Sequence, residues 1–250
     1  MTHKTQRFKL TIEYDGGSFV GWQHQENGFS VQEAIETAIT EFSGETPRLH
    51  CAGRTDAGVH ALGQVAHVDM EKKLTPHRVE SAINACLRPH PISILKVEEV
   101  DTEFSARFNA TQRHYEYRII NRRAPLTLER GKAWWVPQKL DAQAMHDAAQ
   151  VFVGEHDFTT FRNIRCQAKS PIKTLDKISV SRYGESIIAE VSARSFLHNQ
   201  VRSMVGTLMR VGEGKWSKTD VKTALEAKDR TKVGLNAPSE GLYLKAVSYD

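Results

Sequence analysis

The sequence predicts an α+β protein made of two ferredoxin-like halves, each with the order β-α-β-β-α-β and an antiparallel sheet backed by helices. Segments with apolar residues at every second position alternate with segments that have them at helical spacing. The order of these segments in the first hundred residues recurs in the rest of the chain. The 250 residues, 40% hydrophobic and 26% charged, suffice for two such halves. A cleft is expected between the halves.

The first half begins with a strand and a helix. The segment RFKLTIEYD alternates Phe8, Leu10 and Ile12 with other residues, as a strand with one buried face does. In SVQEAIETAITEFSG, Ser30 and Glu33 have the spacing of a capping box, which predicts the start of a helix. The apolar residues of that helix share one face, and a glycine follows them. They are Val31, Ala34, Ile35, Ala38, Ile39 and Phe42, and the glycine is Gly44.

Four further elements complete the first half. Strand-like segments lie around 48–53 and 63–70, and ISILKVEEV is typical of a closing strand. Between them, TPHRVESAINACL predicts a helix with Thr75 as its N-cap and Pro76 in its first turn.

The second half repeats this order with two additions. Strands are predicted for RHYEYRIIN, IKTLDKISVSRY, SIIAEVSAR and GLYLKAVSY, and helices for LDAQAMHDAAQVF, capped by Asp141, and HNQVRSMVGTLMRVG. The additions are a strand in KAWWVP and a short helix in KTDVKTALEA. The boundary is expected within FSARFNATQR, which divides the chain into domains 1–106 and 107–250.

Charge and cysteine content narrow the class of protein. Residues 1–100 carry 10 lysines and arginines against 13 acids, and residues 101–250 carry 24 against 17, so the halves have net charges of −3 and +7. This asymmetry favours a polyanionic partner docked mainly on the second half. No apolar run approaches the roughly 20 residues of a membrane span, and the N-terminus lacks a secretory signal. Three cysteines without a CxxC pair fit a reducing cytoplasm.

Several familiar chemistries find no matching motif. DGGSFVGWQ has neither of the glycine spacings that bind nucleotide phosphates. Cys51, His60, His67 and Asp69 lack the spacing of metal ligands. The nucleophile motif GxSxG is absent, and an aspartic-protease site would need a second TDAG-like element.

The loop GRTDAGVHA, residues 53–61, carries more chemistry than a turn requires. Asp56 follows a predicted strand, where a scaffold can present a reactive carboxylate, and a carboxylate can attack a sugar anomeric carbon. Arg54 offers a guanidinium that could bind phosphate or splay into a stacked helix. Thr55 and His60 are interpreted as hydrogen-bonding residues that stabilise the loop.

Six motifs in order resemble the tRNA pseudouridine synthase A family, the TruA type, from about residue 8 to the C-terminus. They are YDGGSFVGWQ, GRTDAGVHA, RHYEYRI, GEHDFTTFR, FLHNQVRSMVG and GLYLKAVSY. The resemblance implies that uridines 38, 39 and 40 of the tRNA anticodon stem-loop are isomerised to pseudouridine. It also implies a homodimer that binds tRNA and needs no cofactor or metal.

The resemblance assigns four residues. Asp56 and Arg202 are the expected catalytic residues, with Arg202 as the basic partner of the carboxylate. Tyr115 and Arg54 are the expected substrate-binding residues, with Tyr115 against the uracil and Arg54 holding the RNA open. The residue types alone leave alternatives: Tyr115 and Tyr117 share a strand face and could both be core residues, and Arg202 could be a solvated charge.

Other functions remain open from the residues. Asp56 could attack the sugar or remove a proton from it. A non-catalytic RNA-binding module is an alternative, although no RNP1-like stretch occurs. A glycoside hydrolase would need a second carboxylate, and the sequence nominates none.

Overall fold

A computed structural model of the chain describes residues 5–249. The strands and α-helices of this part are numbered in chain order. They are β1 (Gln6–Tyr14), α1 (Val31–Ser43), β2 (His50–Cys51), β3 (His60–Met70), α2 (Pro76–Cys86), β4 (Ile92–Val100), β5 (Ala110–Ile120), β6 (Trp134–Trp135), α3 (Ala142–Ala149), β7 (Gly154–Asp157), β8 (Ile172–Tyr183), β9 (Ser186–Ala193), α4 (Gln200–Gly212), α5 (Lys218–Glu226) and β10 (Leu242–Tyr249). No helix among residues 5–249 is long and apolar enough to cross a membrane.

The chain divides into two compact units. The first unit runs up to Thr111 and takes in the segment from Leu244 onward, and the second unit is Gln112–Tyr243. β10 is divided between the units: Leu242 and Tyr243 belong to the second, and the part from Leu244 onward belongs to the first, where it lies beside β3. Gly63 of β3 permits that approach, since a Cβ there would lie 2.8 Å from the Lys245 carbonyl oxygen. The division into domains 1–106 and 107–250 stays a prediction.

The first unit contains the predicted order of strand, helix, two strands, helix and strand. Its strands lie in the order β4-β1-β3-β10, with the short β2 also paired to β3, and β1 is antiparallel to both neighbours. Phe8, Leu10 and Ile12 of β1 are completely buried, as the alternating pattern predicts. The capping box at the start of α1 and the left-handed Gly44 after its end, at φ +75°, are both confirmed.

The second unit arranges its strands in the order β5-β9-β8-β7, all antiparallel, with α3 in contact with β8, α4 and α5. Two details correct the sequence prediction. β6 pairs with β5 in parallel, through Ile119 and Trp134. β7 was not predicted, because a strand of four polar or small residues has no alternation to detect. A mixed α/β architecture with a large, mainly antiparallel sheet and helices is confirmed, and the description of each half as ferredoxin-like stays a prediction.

Candidate active site

Asp56 lies in a tight loop between β2 and β3 of the first unit. Gly58 adopts φ +76°, a conformation that glycine reaches without strain, and the Val59 amide donates a hydrogen bond of 3.1 Å to the Asp56 carbonyl. Asp56 is half-buried. The loop therefore presents this carboxylate from a fixed turn rather than from a mobile connection.

The segment after β1 holds the backbone of this loop from one side. The Trp22 amide donates to the Thr55 carbonyl at 3.0 Å, and Gly21 forms an isolated bridge with Asp56. Gly21 has φ +114°, and a Cβ there would lie 2.7 Å from the Thr55 oxygen. Only glycine allows this approach, so the loop and residues 15–22 form one packed assembly.

A second set of contacts ties the turn at residues 15–17 to the end of the loop. A Cβ on Gly16 would lie 2.0 Å from the Val59 carbonyl oxygen, which leaves no room for a side chain. His60 is 1% exposed, and its Nδ1 lies 3.1 Å from the Gly16 amide and 2.9 Å from Asp15 Oδ1. A contact with either the Gly16 amide or the Asp15 carboxylate connects the His60 imidazole to this turn.

Tyr14 provides the third contact. Its hydroxyl is 2.7 Å from Thr55 Oγ1, and its ring packs against Trp22 with centroids 5.9 Å apart. Both aromatic residues are almost fully buried. The hydrogen-bonding roles predicted for Thr55 and His60 are therefore confirmed.

Two further side chains belong to the chain just before Asp56, those of Cys51 and Arg54. Arg54 is exposed. The carbonyl of the preceding residue, Gly53, accepts a hydrogen bond of 2.6 Å from Gln64 Nε2. Burial raises the pKa of the Cys51 thiol to about 11, although the charges of Arg54 and Arg107 act in the opposite direction. A thiol with this pKa is protonated at neutral pH.

Tyr115 lies on β5 of the second unit, on the same face as Tyr117. Its ring is 9% exposed and packs edge-on against Phe196, with centroids 5.1 Å apart. Tyr117 is fully buried, and its hydroxyl donates to the Pro238 carbonyl at 2.7 Å. Tyr117 is thus a core residue, while Tyr115 lies near the segment that leads into α4.

Arg202 is the third residue of α4 and is half-buried. Its Nε donates to the Ala237 carbonyl at 2.7 Å, and its Nη1 donates to Asn199 Oδ1 at 3.3 Å. The Ala237 amide returns a bond of 3.1 Å to the Arg202 carbonyl. Gly206 lets this segment lie against the helix, since a Cβ there would be 2.1 Å from the Leu235 oxygen. Hydrogen bonds therefore orient the guanidinium, unlike that of a freely solvated arginine.

The four predicted site residues are distributed over both units. Arg54 and Asp56 share one loop of the first unit, and Tyr115 and Arg202 belong to the second. The sequence did not reveal that Tyr14, Gly16 and Gly21 support the Asp56 loop. The glycines of DGGSFVGWQ were the available signal, because β1 and β3 are neighbours and their adjoining loops meet at one end.

Within the part of the chain that the structure describes, no three His, Cys, Asp or Glu side chains are grouped so as to hold a metal ion. Cys51, His60, His67 and Asp69 also lack the spacing of metal ligands in the sequence. Two of them serve other contacts: His67 Nδ1 accepts a hydrogen bond from the Ala106 amide, and Asp69 binds the Arg7 guanidinium through both oxygens.

The chain is similar to proteins of known family. The sequence matches the protein family described as tRNA pseudouridine synthase over residues 10–109 and 148–250. A protein named tRNA pseudouridine synthase A from Parvibaculum lavamentivorans is 61% identical over 244 residues, which cover 98% of this chain and 99% of that protein. One of the same name from Methylocella silvestris is 62% identical and covers 98% of each. A chain in a crystal structure of a Cbf5-Nop10-Gar1 complex superposes with a TM-score of 0.37 at 11% identity, over 81% of this chain and 45% of that one, too loosely to support an argument.

Proposed function

This chain belongs to the tRNA pseudouridine synthase family, as its motifs predicted, and on that premise we propose that Asp56 is the reacting carboxylate. The chain is therefore an isomerase. The proposed substrates are uridines 38, 39 and 40 in the anticodon stem-loop of tRNA. The observation that carries the assignment of Asp56 is its loop, which backbone hydrogen bonds and two close glycine contacts hold in one conformation. Catalytic groups must be positioned in this way before the substrate arrives.

The reaction rearranges bonds within one nucleotide. The bond between N1 and C1′ breaks, the uracil turns, and a bond forms between C5 and C1′; the hydrogen on C5 leaves as a proton, and N1 gains one. Nothing is oxidised or reduced, so the chemistry calls for no redox cofactor. Asp56 must be ionised either to attack C1′ or to remove a proton from the sugar, and both routes fit a carboxylate in this position.

Arg202 and Tyr115 complete the proposed site from the second unit. A guanidinium near Asp56 would be the basic partner of the carboxylate and offset its negative charge. The hydrogen bonds from Arg202 to Ala237 and Asn199 support this role, because they orient a charge that would otherwise be mobile. Tyr115 would stack on the detached uracil and limit its escape, and its edge-on packing against Phe196 supports a fixed ring.

Access to the base requires that the nucleotide leave the helical stack, which costs a few kcal/mol. We assign Arg54 to this step, because its guanidinium is exposed two residues from Asp56. The basic second half would contact the phosphates and offset part of the cost. The wider proposal has two ferredoxin-like halves, a cleft between them that holds the tRNA, and a cytoplasmic homodimer that works without cofactor or metal.

The test combines Asp56→Asn with a pseudouridine map of tRNA. Cells that lack the protein should lose pseudouridine at positions 38, 39 and 40, and the wild-type gene should restore it while the variant does not. Purified Asp56→Asn should bind tRNA with an affinity within about threefold of wild type, because only the charge is removed. Asp147→Asn, an exposed change on α3, is the control. Substantial turnover by Asp56→Asn would exclude the carboxylate from the chemistry, and an unchanged map would exclude the target positions.

A further inference from the structure

Residues 104–109 follow β4 and its turn and are held at three backbone groups by side chains of three strands. Arg7 Nη1 donates to the Phe104 carbonyl at 2.8 Å. The Ala106 amide donates to His67 Nδ1 at 3.1 Å, and the Tyr249 hydroxyl donates to the Ala106 carbonyl at 2.7 Å. The first part of this segment is therefore anchored to the sheet of the first unit.

The anchoring side chains are themselves fixed. Both oxygens of Asp69 accept hydrogen bonds from Arg7, at 2.7 and 2.6 Å. Burial, assisted by the charge of Arg7, lowers the pKa of His67 to about 4. At neutral pH the imidazole is therefore uncharged and Nδ1 remains available as an acceptor. The backbone of Phe104 and Ala106 is therefore fixed, which sets the direction of the chain as it continues into Arg107 and Phe108.

The next two residues point away from this support. Phe108 is 79% exposed, which gives a large apolar ring to solvent directly after a rigid backbone. The guanidinium carbon of Arg107 lies 5.5 Å from the centre of that ring, in a cation–π arrangement. A single exposed apolar residue needs no special explanation, so the argument depends on what lies beside it.

The Asp56 loop lies beside this pair. Ala106 packs in one buried cluster with Ala52 and Val65. Ala52 is followed directly by Gly53 and Arg54 of the Asp56 loop. Arg107 follows Ala106 directly and Arg54 lies two residues after Ala52, so both arginines leave this one buried cluster. Two guanidinium groups and an exposed aromatic ring thus adjoin the loop that carries Asp56.

We propose that Arg107 and Phe108 form an RNA contact next to the Asp56 loop, in which Phe108 stacks on an unpaired base of the tRNA and Arg107 binds a flanking phosphate together with Arg54. This inference rests on the proposed function and adds two residues to it. Aromatic stacking is the way in which proteins stabilise bases that have left the helix, and guanidinium groups bind phosphate. The Arg107 guanidinium against the ring favours a polyanion over a second protein surface.

The test measures binding of an unmodified tRNA transcript with uridine at position 39, by fluorescence anisotropy, together with the single-turnover rate. Phe108→Ala and Phe108→Leu should each raise Kd about tenfold, because leucine keeps the apolar surface but removes the stacking face, and Phe108→Trp should restore binding. Arg107→Ala should weaken binding and reduce the slope of log K against log salt by about 1. Tyr183→Ala, which removes a 69% exposed aromatic residue at the β8–β9 turn, is the matched control.

The outcomes separate this inference from the function on which it rests. If the wild-type protein forms no pseudouridine, the proposed function fails. If it turns over normally while Phe108→Leu binds tRNA as tightly as Tyr183→Ala does, the stacking contact is wrong and the function stands. If Phe108→Leu instead changes the molecular mass in solution, the ring belongs to an interface between copies of the chain and the RNA contact is overturned. Phe108→Trp keeps the test valid should the smaller variants unfold.

Discussion

Replacement of Gly16 by alanine should displace the Asp56 loop and reduce turnover sharply. The added Cβ would lie 2.0 Å from the Val59 carbonyl oxygen and 2.5 Å from its carbon. Real Cβ contacts essentially never fall under 3.0 Å, so the two backbones must separate by at least about 1 Å. Both atoms belong to the main chain, and no flexible side chain can move aside to relieve the overlap.

The size of the effect follows from that displacement. A shift of about 1 Å in a positioned catalytic group can cost about 100-fold in rate. Overpacking of this kind costs about 1–3 kcal/mol of the free energy of unfolding. Gly17→Ala is the matched control in the same turn, because its nearest atom is Asp15 Oδ1 at 3.2 Å, a side-chain atom that needs to give by only a few tenths of an ångström.

The assay follows tritium released from C5 of uridine in tRNA, because that hydrogen must leave when C5 joins C1′. Single-turnover rates are measured for both alanine variants at a temperature below their unfolding midpoints. We expect Gly16→Ala to be about 100-fold slower than Gly17→Ala and to melt at a lower temperature. Equal rates in the two variants would show that Gly16 does not control the position of Asp56.

Three further perturbations probe the rest of the molecule. Arg202→Ala should slow the single-turnover rate by about 100-fold and change the tRNA Kd by less than about threefold; the opposite pattern would make Arg202 a phosphate contact. Because the pKa of His67 is lowered from 6.5 to about 4, its contribution to stability is complete above pH 6.5 and is lost as the pH falls towards 4. The loss is at most about 3 kcal/mol, and urea titrations of His67→Gln should lack this part of the pH dependence. Tyr117→Phe removes the hydrogen bond to the Pro238 carbonyl and should cost about 1 kcal/mol in urea unfolding; an unchanged midpoint would show that the bond contributes nothing net.

Much of the fold could be predicted because its signals are local. The capping box of Ser30 and Glu33 depends on residues three apart, and the strand β1 depends on alternation over a few positions. The parallel pairing of β6 and the strand β7 could not be predicted in this way. Each has too few residues to display a period, and each exists because a neighbouring strand supplies its hydrogen bonds.

For the candidate site, too, the local motifs nominated residues, but they did not show how those residues pair. The motif GRTDAGVHA nominated Asp56 and Arg54, and RHYEYRI and FLHNQVRSMVG nominated Tyr115 and Arg202; these four assignments stay predictions. The predicted pairing of Arg202 with Asp56 stays a prediction.

The sequence by itself determined most of the helices and strands and the family to which the chain belongs, and it nominated Asp56 as the carboxylate for the chemistry. Only the tertiary structure decided what holds that carboxylate in place. Tyr14, Gly16 and Gly21 act on residues about forty positions away, and Tyr249 anchors a segment more than a hundred positions earlier. Such contacts depend on which strands become neighbours, and a periodic pattern within one segment carries no information about its partner.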